Sequence, residues 1–208
     1  TGSTTRAMAA HLPTGAQWLL LDGDPVLLDR AKAALNGTAD YIQQDLGNVD
    51  DLPLNGVTLV TASALLDLVS EAWVTALAAR LNVTFFASLS YDGVMRWSPE
   101  DALDPMVEQY FNRHQRIDKG LGAALGPEAG PRAATIFDQA GFDVETAQSP
   151  WDIGPDMPTL QKLLNDGVAT AAVEAGLPDA RKWPETRHKT ADKGRSWAGH
   201  VDLLAIPR

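Results

Sequence analysis

The chain predicts an α/β fold, a doubly wound and mostly parallel sheet with helices on both faces, and three observations carry that prediction. Apolar runs alternate with stretches of helical periodicity through most of the 208 residues. Three pieces, Gly2, Asp22 and Asp45-Leu46, each fall at the carboxyl end of a proposed strand, where open α/β sheets bind ligands. With 45% hydrophobic residues the chain can bury one substantial core. A single domain over 1–208 with a small insertion is expected.

The elements follow in order. Residues 4–12 read as a helix and 18–21 as a strand. Asp24 caps a helix over 25–35 with Pro25 at its first position, and Asn36-Gly37 ends it. A short strand over 41–44 is closed by Asp45, and a β-branched strand over 56–62 leads into a helix over 70–81 and a strand over 83–89. The rhythm then breaks. Residues 91–130 are rich in Trp, Pro, Asp, Gly and basic residues, with one helix between 99 and 115, and read as a lid-like helical insertion over the sheet. A helix over 133–140, a strand over 142–147 and a helix over 158–175 resume the pattern. A loop carrying Trp183, Arg187, His188 and Lys189 precedes a last strand over 200–206, whose alternation predicts a place at or near a sheet edge.

Composition narrows the function. Against 17 basic residues stand 27 acidic ones, a net charge of -10, which opposes attraction to a nucleic-acid backbone. The absence of cysteine excludes disulfides, thiolate metal sites and a cysteine nucleophile, and suits a cytoplasmic protein. The four histidines lack metal-ligand spacing, and no stretch is long and apolar enough to span a membrane, so neither a metal nor a membrane partner is expected. The expected partner is a small molecule, and the expected state a monomer or homodimer.

The opening carries the cofactor signal. In Thr1-Gly2-Ser3-Thr4-Thr5 the missing side chain of Gly2 lets backbone approach a ligand, and a following helix N-terminus offers free N–H groups. Asp22, with Gly23 beside it, falls roughly 20 residues later, the separation at which a carboxylate meets a ribose diol. Asp45 would accept from an adenine amino group while Leu46 covers the ring. Each carboxylate alone is equally a polar strand end; their recurrence at successive strand ends points to an adenosine cofactor. Because the chain starts inside the turn, a preceding buried strand with one or two glycines is expected.

Together, Thr-Gly-Ser, Leu-Leu-Asp-Gly-Asp-Pro, Gln44-Asp45-Leu46 and Val57-Thr58-Leu59-Val60-Thr61-Ala62-Ser63 resemble class I S-adenosylmethionine-dependent methyltransferases. The resemblance holds residue by residue to about Leu89 and in element order beyond. It implies a Rossmann-like sheet whose first strand precedes this chain and whose last strand is antiparallel. It also implies S-adenosylmethionine as cofactor, with Asp22 on the ribose, Asp45 on the adenine edge, and Thr61, Ala62 and Ser63 along the methionine part. The family often has Asp at the start of its fourth strand, where this chain has Thr58. No Asn-Pro-Pro-Tyr-like signature follows Val60, which lowers the expectation of a nucleic-acid or protein amine acceptor.

The residues expected on the acceptor side lie mostly in the insertion. His114 is the candidate general base because histidine titrates near neutrality, and Tyr91, Asp92 and Asp67 follow it. His114 could equally cap the end of its helix. Arg96, Trp97, Arg116 and Trp151 are candidate substrate contacts, the arginines for an acidic group and the indoles as pocket walls. Arg113 and Lys119 share the arginines' reading. Arg187, His188 and Lys189 read as a solvated loop, and His200 as a satisfied edge residue. The predicted activity is methyl transfer to a small carboxylated or hydroxylated acceptor. A nicotinamide-dependent oxidoreductase and a non-catalytic cofactor-binding protein are the alternatives.

Overall fold

Asp24 accepts a hydrogen bond from the N–H of Val26 at 2.8 Å and Pro25 fills the first turn, so a helix starts here for local reasons alone. In the computed structural model, which describes residues 2–208, that helix is α2 (Pro25–Leu35), ended by Asn36 in the left-handed region. Thr1 of the opening turn lies outside the described residues. The chain divides into two units, Thr1–Asn55 and Gly56–Arg208. In the first, α1 (Ser3–Met8) precedes β1 (Leu19–Asp22), α2 and β2 (Asp40–Gln43). β1 and β2 pair in parallel, with Asp22 opposite Gln43, and α2 buries Leu28, Ala31 and Leu35. α1 ends at Met8, short of the expected 12.

The second unit holds β3 (Leu59–Ser63), α3 (Glu71–Arg80), β4 (Thr84–Ser98), α4 (Asp104–Gln115), α5 (Ala129–Gln139), β5 (Phe142–Gln148), β6 (Trp151–Ile153), α6 (Pro158–Glu174), α7 (Trp183–Thr190) and β7 (Arg195–Pro207). Its sheet runs β3-β4-β7-β5, with β6 also on β7. β3 and β4 are parallel, whereas β7 is antiparallel to β4, β5 and β6, so β7 is the one reversed strand. The last strand therefore lies inside the sheet and not at its edge. Its alternation reflects one well-buried face, with Leu203 and Ala205, and a second that stays partly exposed at Leu204 and Ile206. On one face Phe85 stacks on Phe137 of α5 at 4.9 Å, and Phe142 meets Phe137 edge-on at 5.3 Å.

Two expectations change. β4 does not stop at 89 but continues to Ser98, pairing Tyr91 with His200 and Trp97 with Ser196, so residues 91–98 are sheet and the irregular part begins after them. Irregularities between 87 and 90 and between 91 and 95 each shift the register of the pair, which resumes beyond them. Second, the expected loop holding Trp183, Arg187, His188 and Lys189 is helix α7, and Arg187 is buried. Its side chain reaches Asp104 at 2.6 and 2.8 Å and the Pro99 carbonyl at 2.6 Å, and Trp183 also donates to Asp104 at 2.8 Å. A charged helix with no apolar stripe is thus anchored by a charge.

α4, α6 and α7 pack on the extended β4–β7 ribbon around Tyr91, Met95, Trp97, Val107, Val168 and Trp183. Buried polar groups cross this layer. The Trp97 indole donates to Asn165 at 2.9 Å, Asn165 meets the Ser196 hydroxyl at 3.3 Å, and Gln161 donates to the carbonyls of Gly154, Ala191 and Gly194. No helix among the described residues is long and apolar enough to cross a membrane. Arg187→Met leaves the Asp104 carboxylate buried and unpaired, and should lower unfolding stability by about 3–5 kcal/mol in a urea titration; a loss below about 1 kcal/mol would show the pair to be dispensable.

Candidate functional site

In the first unit the parallel pairing of β1 and β2 sets two chain segments side by side at their carboxyl ends. Gln44 N–H donates to the Asp22 carbonyl at 3.0 Å, and the Gln43 amide to the Gly23 carbonyl at 3.3 Å. Asp22 and Asp45 each commit one carboxylate oxygen to the backbone, to Asp24 N–H at 2.9 Å and Gly47 N–H at 2.8 Å. The second oxygen of each makes no hydrogen bond among the described residues. Two anchored carboxylates with one free acceptor apiece suit hydroxyl and amino donors of a nucleoside. Gly23 is exposed and Leu46 half-buried beside them. Gly2, with φ of 72°, is buried, and a Cβ there would press on Leu35 at 2.9 Å, so its missing side chain serves packing on α2.

In the second unit Thr61, Ala62 and Ser63 end β3 and pair with Phe86, Ala87 and Ser88. The backbone immediately beyond is strained. Ala64 has φ of 50° and Leu89 of 58°, and the two are linked through the Ala64 N–H to Ser88 carbonyl bond at 2.9 Å. Such conformations cost about 1–3 kcal/mol each and cluster where a ligand is handled. Asp202 of β7 holds the bend by accepting from Leu89 N–H at 2.9 Å and from the Ser149 hydroxyl.

Several buried polar atoms without a hydrogen-bond partner belong to the middle of β4 and residues beside it: Asp67 Oδ1, Ser90 Oγ, the Tyr91 hydroxyl, Asn112 Oδ1 and His200 Nδ1. Burial raises the pKa of Asp67 against the pull of its backbone neighbours and Lys119. It also raises that of Tyr91, with Glu108 and Asp92 adding to the effect. The same cause lowers His200, opposed by the Ala198 carbonyl and by Asp92 and Asp202.

The remaining expected residues fall in three places. Tyr91 and Trp151 both face His200, at ring-centroid distances of 6.3 and 5.4 Å. His114 and Arg116 lie on and just after α4. The first bonds through Nε2 to Glu174 of α6 at 2.9 Å, and the second to the Asn112 carbonyl at 3.1 Å and near Glu128 at 4.0 Å. Trp97 is buried in the helical layer, edge-on to Trp183, while Arg96 lies over Trp197 at 5.1 Å. Arg96 and Trp97 border a shallow cleft of about 220 Å³ that Asp152, Arg195 and Trp197 complete. His200, expected as a satisfied edge residue, instead lies on an inner strand with its Nδ1 unpartnered. No cluster of three or more potential metal ligands occurs among the described residues.

Neither a family model nor a curated protein matches this sequence. Solved structures do. A protein of Bacillus halodurans C-125, provisionally named a methyltransferase, superposes over 100% of this chain and 89% of its own with a TM-score of 0.57 and 11% identity. The chain has the class I methyltransferase fold. The N-terminal domain of EvdMO1 with S-adenosylhomocysteine bound follows at TM-score 0.48 and 15% identity, over 100% of this chain and 71% of that one. The cyclopropane synthase MmaA2 of Mycobacterium tuberculosis stands at 0.49 and 8%, over 98% and 74%. The reversed β7 within the sheet is the expected topology of the methyltransferase fold.

Asp67 gives a testable energetic consequence. Its folded pKa lies above the unfolded one, so ionisation favours unfolding, and the stability tied to its neutral form is lost as pH rises through the folded value. Asp67→Asn should therefore raise the thermal midpoint at neutral pH, with the gain shrinking as pH falls toward the ordinary value of 3.8. A destabilised variant at neutral pH would mean that the charge is needed.

Proposed function

We propose that this protein transfers a methyl group from S-adenosylmethionine to a small-molecule acceptor, acting in the cytoplasm as a monomer or homodimer. The observation that carries the reading is the pair of anchored carboxylates, Asp22 and Asp45, at neighbouring strand ends of a chain with the methyltransferase fold. Their free oxygens suit the ribose diol and the adenine amino group, with Gly23 leaving room and Leu46 against the base; Gly2 is the proposed backbone contact. In the second unit Thr61, Ala62 and Ser63 are the proposed contacts of the methionine part, at the strained end of β3.

When bound, the cofactor supplies an electrophilic methyl group; the protein must align the acceptor, exclude water and receive a proton where the acceptor carries one. Tyr91 and Trp151 are the proposed acceptor contacts. Arg96, Trp97 and Arg116 are already engaged in stacking, packing or backbone bonds, which favours an uncharged acceptor over a carboxylated one. His114 in its bond with Glu174 serves best as a tie between α4 and α6. A nicotinamide-dependent oxidoreductase is disfavoured by the reversed β7.

Calorimetric titration with S-adenosylmethionine tests the proposal. The protein should bind the cofactor, and Asp22→Ala should weaken binding about tenfold or more, the loss of hydrogen bonds to a charged group worth about 1.5–3 kcal/mol. No binding at millimolar cofactor would refute it.

A further inference from the structure

We propose that His200 is the proton acceptor of the reaction, and that with Trp151 and Tyr91 it forms a subsite for a neutral, planar acceptor bearing a hydroxyl group. The inference rests on the methyltransferase reading and names the acceptor class that this reading leaves open.

The reversal of β7 brings the argument its geometry. Running against β4, it sets His200 directly opposite Tyr91, just past the strained turn at Leu89, with β4 between it and the carboxyl end of β3. The period of two puts His200 and Asp202 on one face of the strand. On that face the Tyr91 hydroxyl and His200 Nδ1 are both buried and unpartnered. Folded proteins pair nearly all such atoms, so two on neighbouring rings, with centroids 6.3 Å apart, call for a polar ligand. Tyr91 itself is only 6% exposed, so its hydroxyl is largely shielded from bulk solvent.

Trp151 supplies the wall. It is 39% exposed, its centroid lies 5.4 Å from that of His200, and its plane tilts by 51°, leaving an aromatic surface free for an acceptor ring to stack on. Charge selects against an anion. Facing His200 are Asp92 of β4 and Asp202 of its own strand, and Asp152 of β6 is tied to Arg195 at 3.3 Å. Asp92 lies over Gly199, where any Cβ would collide with its carboxylate. Glu108 of α4 faces Tyr91, and the cation that also faces it, Arg116, is spent on Asn112 and Glu128. An uncharged acceptor meets no penalty here.

The other histidines are placed otherwise: His114 against Glu174, His188 against Asp166 at 2.8 Å, and His11 on the first unit. Burial holds the His200 ring neutral at neutral pH, ready to take a proton, and Asp92 and Asp202 stabilise the imidazolium once formed. In the step, the acceptor oxygen forms a bond to the methyl carbon as the sulfur–carbon bond breaks, and its electron pair goes to sulfur. The hydroxyl proton passes to the His200 imidazole and from there to water.

Phenol is the probe, followed by NMR of the histidine ring protons and tryptophan indoles without cofactor. His200 should titrate below 6.5. Phenol should shift the His200 and Trp151 signals and lower the His200 pKa further, because a hydroxyl donating to the ring favours its neutral form. Trp151→Ala should abolish both effects. Turnover of phenols by His200→Gln should fall by about 10²-fold and lose its acid limb, while calorimetric affinity for S-adenosylmethionine stays unchanged. Phenol that leaves the His200 titration unmoved, or an acid limb that survives in His200→Gln, would overturn the proposal. Neither result touches cofactor binding, whose absence would instead remove the methyltransferase reading.

Discussion

Within the second unit the Asp104–Arg187 pair is the interaction on which the helical layer depends. Both groups are buried, so neither can be lost without leaving the other's charge in an apolar setting. The cost is offset by hydrogen bonds: two between guanidinium and carboxylate, one each from the Trp183 indole and the Asp101 N–H to the carboxylate, and one from the guanidinium to the Pro99 carbonyl. The guanidinium also lies 5.9 and 5.3 Å from the centroids of Trp97 and Trp183, where their π faces attract it. One arginine thereby ties α7 to α4 and to the outer end of β4. A short polar helix with no apolar stripe has no other strong reason to fold in place.

The same layer steadies the β4–β7 ribbon that carries the candidate chemistry. An exposed two-stranded ribbon is marginal by itself, and here its outer end is covered by α4 and α6 through Met95, Trp97, Val107 and Val168. The Trp97–Asn165–Ser196 chain fixes the side-chain register across it. Held from outside, the ribbon can tolerate bulges and positive φ near Leu89, where irregular backbone sets Asp202, Tyr91 and His200 around one point. Of the buried polar groups without hydrogen-bond partners, Ser90, Tyr91 and His200 lie on this part of the ribbon.

What the sequence made legible was local. Asp24-Pro25 and Asn36 bound α2 to the residue, because caps are decided by neighbouring residues. Asp22 and Asp45 were readable as strand-end acids for the same reason. What escaped was set by distant partners. Residues 91–98 looked irregular because Asp92, Gly93 and Arg96 are poor strand formers, yet pairing with β7 some hundred positions away overrides propensity. Arg187 looked solvated, since nothing near it in sequence announces Asp104. His200 read as a satisfied edge residue because its neighbours Tyr91 and Trp151 come from other strands. His114 stood out by residue type alone, while its partner Glu174 lies on another helix.

The most direct measurement is a crystal structure of the protein with S-adenosylhomocysteine. The account predicts the ribose hydroxyls within hydrogen-bond distance of the free Asp22 oxygen and the adenine amino group at Asp45. Electron density for the ligand away from both carboxylates, or none at saturating concentration, would contradict it.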